Sequence, residues 1–80
     1  MRLPRDISGD DLIRRLRQLG YEPTRQTGSH VRLTRVEGNE EHHITVPRHD
    51  VLRVGTLNSI LNDVAEHLQM SKQELMRELF

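Results

Sequence analysis

Three times along this chain the spacing of apolar residues implies an element, and the spacing changes between them. Leu12, Ile13, Leu16 and Leu19 recur at helical intervals, which places them on one side of a helix. Val31 and Leu33, then Ile44 and Val46, recur at every second residue, the period of a strand with one buried face. Leu57, Ile60, Leu61, Val64 and Leu68 return to helical spacing. A chain patterned this way is expected to lay helices on one face of a small antiparallel sheet, an α+β sandwich.

Local signals set the boundaries. Ser8 suits an N-cap, with Asp11 three residues on, and Gly20 sits where a helix ends. A first strand is expected over 21–26, placed at an edge by Pro23. Thr27-Gly28 turns the chain into a second strand over 30–36. The polar turn Glu37-Gly38-Asn39-Glu40 leads to a third strand over 42–46, closed by Pro47. Residues 47–54 connect to a second helix opening at Gly55 or Thr56. Ser71 and Glu74 form a capping box for a short third helix with Leu75 and Leu79 inward. On the strands, the parity opposite to the apolar set carries His30, Arg32, Thr34, His43 and Thr45, which therefore belong to the solvent face. Arg14, Arg15 and Arg17 are expected on the solvated side of the first helix.

Eighty residues allow one domain. A chain of this size buries only about 60% of its unfolded surface, so a partner has weight in its stability. With 2% aromatic residues, Tyr21 and Phe80, the core must be aliphatic. The same scarcity argues against RNA readers that stack bases on sheet aromatics. Twelve basic and twelve acidic residues cancel, which counts against strong non-specific nucleic-acid binding. The charges are unevenly spread, however. Between Pro23 and Arg35 stand Arg25, Arg32 and Arg35 with no acid, whereas residues 57–80 carry Lys72 and Arg77 against Asp63, Glu66, Glu74 and Glu78. No cysteine, no transmembrane-length apolar run and no signal-peptide core point to a soluble cytoplasmic protein.

The chemistry is expected at Gly28-Ser29-His30. A histidine that opens a strand after a Gly-Ser turn is held by the backbone yet reachable by solvent, and imidazole exchanges protons near neutral pH. Taken alone, such a histidine is most often a polar surface residue. Arg32 lies on its face and Arg25 across the hairpin, either able to hold a phosphate. Free N–H groups near Gly55 and Thr56, flanked by Arg48 and Arg53, form a second anion site. His43 shares the parity of His30 and approaches it in one register of the strands; His49 sits in the loop. His42 and His43, adjacent on a strand, point to opposite faces, and no carboxylate or thiolate spacing supports zinc through His30, His43 and His49. No metal or cofactor is expected.

Four stretches together resemble the HicA (YcfA-like) toxins of toxin–antitoxin pairs: the opening helix ending at Leu19-Gly20-Tyr21; Arg25-Gln26-Thr27-Gly28-Ser29-His30; Ile44-Thr45-Val46-Pro47 with His49; and Gly55-Thr56-Leu57 with Ser59-Ile60-Leu61. The resemblance spans about residues 8–68. It implies a fold like that of double-stranded-RNA-binding domains, α-β-β-β-α, over a single domain of residues 1–80, with 70–80 a helical extension. It further implies an mRNA-cleaving endoribonuclease with the family's catalytic histidine at His30, RNA contacts among Arg25, Ser29, Arg32, His43, Arg48, Arg53 and Thr56, and a HicB-type antitoxin that covers the histidine. The chain departs from the family in its third helix and in lacking net positive charge. That helix is open to three roles: extending the antitoxin interface, forming a homodimer through Leu75, Met76 and Leu79, or capping the core. Two other functions stay open, a non-catalytic RNA-binding module of the same fold and a protein-interaction domain docking through its acidic C-terminal helix.

Overall fold

The alternation of periods is realised as six elements in the computed structural model, which describes residues 3–80: α1 (Gly9–Arg17), β1 (Glu22–Thr27), β2 (His30–Glu37), β3 (Glu40–Pro47), α2 (Val54–Leu68) and α3 (Lys72–Leu79). Met1 and Arg2, the first residues of the expected 1–80 domain, lie outside the described residues. The three strands form one antiparallel sheet in the order β1-β2-β3. With helices before and after it, this is the expected α+β arrangement of the double-stranded-RNA-binding type.

Local chemistry accounts for the ends. The Ser8 hydroxyl accepts the Asp11 N–H at 3.0 Å, satisfying one of the free donors that open α1. At the other end Tyr21 N–H donates to the Leu16 carbonyl and Gly20 N–H to the Arg17 carbonyl, the paired bonds of a Schellman ending. Gly20 supplies the positive φ (+94°) that this ending requires. The Ser71–Glu74 capping box of α3 is complete, both bonds 3.0 Å long. Helix α2 begins at Val54, one residue before the expected opening, with Arg53 as an extended N-cap whose side chain makes no capping bond.

The core takes its sheet side from Val31, Leu33, Ile44 and Val46 and its helix side from Leu12, Leu16, Leu57, Leu61 and Val64, all buried. Leu75, Met76 and Leu79 of α3 are buried in the same cluster, so the third helix caps the core and spends those side chains within this chain. Arg15 is not the solvated residue expected. Half-buried, it donates to the Leu79 carbonyl at 2.6 Å and lies 5.0 Å from the Phe80 ring centroid, tying α1 to the C-terminal end. The start of α1 is pinned to the end of β3. Gly9 N–H donates to the His49 carbonyl at 2.9 Å, and a Cβ on Gly9 would fall on the Pro47 carbonyl oxygen. Only glycine lets α1 dock so closely there. Among the described residues no helix is long and apolar enough to cross a membrane.

Candidate functional site on the open sheet face

The helices share one face of the sheet, and the other face lies open. The hairpin between β1 and β2 pairs Thr27 with His30, leaving the two-residue loop Gly28-Ser29. Positive φ occurs only at its first position (Gly28, +58°), where glycine carries no steric cost. The Ser29 carbonyl accepts the Arg48 N–H at 2.6 Å, which ties the loop to the end of β3. His30 therefore begins β2 on a backbone fixed from two sides, with its side chain exposed.

Across the sheet, His30 stands opposite Pro47, Arg32 opposite both Arg25 and Thr45, and Thr34 opposite His43. Directly opposed residues of an antiparallel pair share a face, with Cβ atoms about 5 Å apart. Arg25 and Arg32 are thus like charges face to face, an arrangement that costs stability. Neither makes an ion pair among the described residues. The open face therefore presents two guanidinium groups without an ion pair, two pair positions from an exposed imidazole. An anion placed there would relieve the repulsion.

His43 does not join His30. The register sets it opposite Thr34, four residues further along β2, or about 13 Å at the usual strand rise. Proton transfer needs hydrogen-bond reach of about 3 Å, so the two rings cannot serve one phosphodiester in this arrangement. The Nδ1 atom of His43 meets the Thr34 hydroxyl at 2.8 Å, and that hydroxyl meets the Thr24 hydroxyl, also at 2.8 Å. Thr34 lies on the face that its parity implies, but at 7% exposure it is the one buried polar residue among those described. Thr24 reaches it because the β1–β2 register slips between Pro23 and Arg25. Such a bulge re-aims a side chain and breaks simple alternation.

The second anion site is only partly free. The Arg48 guanidinium is engaged by Asp10 through two hydrogen bonds of 2.7 and 3.2 Å. These bonds hold the Asp10 carboxyl below its ordinary range and raise Arg48 above its own. The first turn of α2 has no acidic residue, Gly55 faces open space, Thr56 is half-buried, and Arg53 is exposed with no ion pair among the described residues. Its free N–H groups and Arg53 remain to receive an anion.

On the helix side, His42 forms a cluster that sequence reasoning missed. Its Nδ1 lies 2.7 Å from the hydroxyl of Tyr21, which is fully buried, and its Nε2 lies 3.1 Å from Asp63 Oδ1. The His67 ring stacks on it at 4.1 Å. Burial pushes the Tyr21 hydroxyl up to about 12, so it keeps its proton. His49 is exposed in the 48–53 loop and contributes its carbonyl to Gly9. Among the described residues no group of three or more His, Cys, Asp or Glu side chains is placed to hold a metal ion.

A family model described as HicA toxin of bacterial toxin–antitoxin matches residues 9–65, from the first residue of α1 to the last turn of α2. No curated protein and no solved structure matches the chain significantly. Helix α3 falls outside the matched span.

Proposed function

The chain belongs to the HicA toxin family of bacterial toxin–antitoxin systems, and from that membership we propose that it is a metal-independent endoribonuclease that cleaves mRNA, with His30 as the proton-transfer group. The observation that carries this reading is the unpaired Arg25–Arg32 couple beside an exposed, backbone-fixed imidazole. RNA contains its own nucleophile. His30 takes the proton from a ribose 2′-hydroxyl, whose oxygen bonds to the adjacent phosphorus. The bond from phosphorus to the 5′-oxygen breaks, and that oxygen leaves with a proton from solvent or from the protonated ring. Arg25 and Arg32 neutralise the crowded phosphorane, while Arg53 and the free N–H groups around Thr56 hold a neighbouring phosphate. Ser29 contributes its backbone to the turn that aims His30. Arg48 joins in phosphate binding only by leaving Asp10.

Residues 1–80 act in this proposal as one HicA-like domain, with 70–80 as an extension that closes the core. The family implies an antitoxin partner. A HicB-type protein that covers the open face would bury His30 and supply carboxylates to the two arginines. The working location is the cytoplasm, where mRNA is translated.

The products provide the test. Cleavage in EDTA should leave a 2′,3′-cyclic phosphate and a 5′-hydroxyl. An oligonucleotide with 2′-deoxyribose at the cleaved nucleotide should resist. Cleavage that needs added magnesium, or that yields 5′-phosphate ends, contradicts the reading. A second reading, the non-catalytic RNA-binding module, is favoured by the distance of His43 from His30, which removes His43 as a second imidazole for the leaving group. RNA binding without any cleavage would select it.

A further inference from the structure

Thr24, Thr34 and His43 form a hydrogen-bonded chain whose polarity can be followed. A threonine hydroxyl has one proton to donate. The Thr24 hydroxyl donates to the Arg32 carbonyl at 3.4 Å, an atom that only accepts. The arrangement of protons that satisfies all three contacts has Thr24 accepting from Thr34 at 2.8 Å and Thr34 accepting from His43 Nδ1 at 2.8 Å. In that arrangement the neutral imidazole is the Nδ1–H tautomer, and its Nε2 presents a lone pair on the open face.

That lone pair selects its ligand. It accepts O–H or N–H donors and repels phosphate oxygens. Glu41 Oε2, 3.9 Å from Nε2, adds to that repulsion. The donors of RNA are base amino and imino groups and the ribose 2′-hydroxyl. Holding a base edge at a fixed place normally takes a stacking partner. The face has no Tyr, Phe or Trp ring among the described residues, since Tyr21 is buried on the helix side and Phe80 lies beside Arg15, and in the proposed reading Arg25 and Arg32 are engaged by phosphate. The RNA parts that the face can grip are phosphates, through Arg25 and Arg32, and sugars.

We propose that His43, oriented by Thr34 and Thr24, accepts a hydrogen bond from the 2′-hydroxyl of a nucleotide bound away from the scissile bond. It is a sugar-reading subsite that makes the open face prefer single-stranded RNA to DNA. Thr24 and Thr34 are positioning residues. The bulge at Thr24, between Pro23 and Arg25, gains a purpose, since it brings Thr24 to the outer face. The inference rests on the RNA-cleaving reading, and its test separates the two.

The first measurement needs no RNA. In the full chain at about pH 8, above the ordinary histidine range, imidazole ¹⁵N shifts should show His43 protonated at Nδ1. Thr34→Val, nearly the same shape, should shift that signature while the fold persists. The second uses His30→Ala, which leaves RNA intact. A single 2′-deoxy substitution is moved along a single-stranded RNA oligonucleotide. One position other than the cleaved nucleotide should weaken binding about fivefold, the scale of one hydrogen bond. In the His30→Ala/His43→Ala double variant the same substitution should cost nothing. An Nε2–H tautomer, or 2′-deoxy effects that persist without His43, overturns the inference even where wild-type protein cleaves RNA. A chain that neither binds nor cuts RNA overturns the ribonuclease reading beneath it.

Discussion

His42 and His43 are neighbours in sequence, yet they live in opposite regions of the molecule. His42 points toward α2, where Asp63 accepts from its Nε2 and the Tyr21 hydroxyl serves its Nδ1. His43 points to the open face, with Nδ1 committed to Thr34 and Nε2 free of any hydrogen bond among the described residues. On the proposed polarity of the threonine chain, the two neutral rings hold their protons on opposite nitrogens. A region whose polar groups satisfy one another contributes rigidity, because breaking it strands a buried partner. A region that leaves a ring nitrogen without a hydrogen bond and two arginines without an ion pair, Arg25 exposed and Arg32 half-buried, keeps bonding capacity for a ligand. In the proposed reading the sheet's two faces divide stability from recognition along this line.

The largest break in that division should come from His42→Ala. The Tyr21 hydroxyl would lose its partner in a fully buried position, a loss of about 2 kcal/mol by urea denaturation. His43→Ala should stay within about 0.5 kcal/mol of wild type while weakening RNA binding. Equal losses at both positions would abolish the distinction. Thr34→Val should fall between the two, at about 1 kcal/mol, since it removes one bond to Thr24 and one to His43 from a buried hydroxyl.

Alkaline titration sharpens the helix-side half. Burial raises the Tyr21 hydroxyl from its ordinary 10.0 to about 12. Above about pH 10 the unfolded chain releases that proton and the folded chain does not, so stability should be full below pH 10 and decline towards pH 12. Tyr21→Phe should flatten the decline over that window. A decline unchanged in the variant would assign it to other groups.

Much of this was legible in the residues, and the failures have physical causes. Element order follows from the change of apolar period, and the sheet faces from alternation, which is why His42 and His43 separate as expected. The distance between His30 and His43 follows from register. The two-residue loop Gly38-Asn39 pairs Glu37 with Glu40 and so carries His43 to Thr34. Thr24 could not be placed, because it is itself the extra residue of a bulge between Pro23 and Arg25, which shifts the strand by one residue. Tyr21, expected as the first residue of a strand, lies just before β1 and turns its hydroxyl to His42. Arg48 has the look of a phosphate ligand in the sequence, since its partner Asp10 is distant in the chain and invisible to any local pattern.

That pair yields the smallest effect foreseen. Asp10→Asn should release the Arg48 guanidinium beside the start of α2. RNA affinity should rise slightly, and the dependence of log K on log salt should steepen by up to about one unit. An unchanged slope would show that Arg48 lies outside the RNA path.

In the proposed reading the chemistry falls on His30, and a single-turnover assay addresses it directly. Wild-type protein and His30→Ala, both shown to be folded, are mixed in excess with a labelled single-stranded RNA in EDTA. Wild type should cut, and the variant should bind the RNA but cut it at least about a hundredfold more slowly, the usual contribution of a general acid–base group. Equal rates from the two proteins would contradict the account.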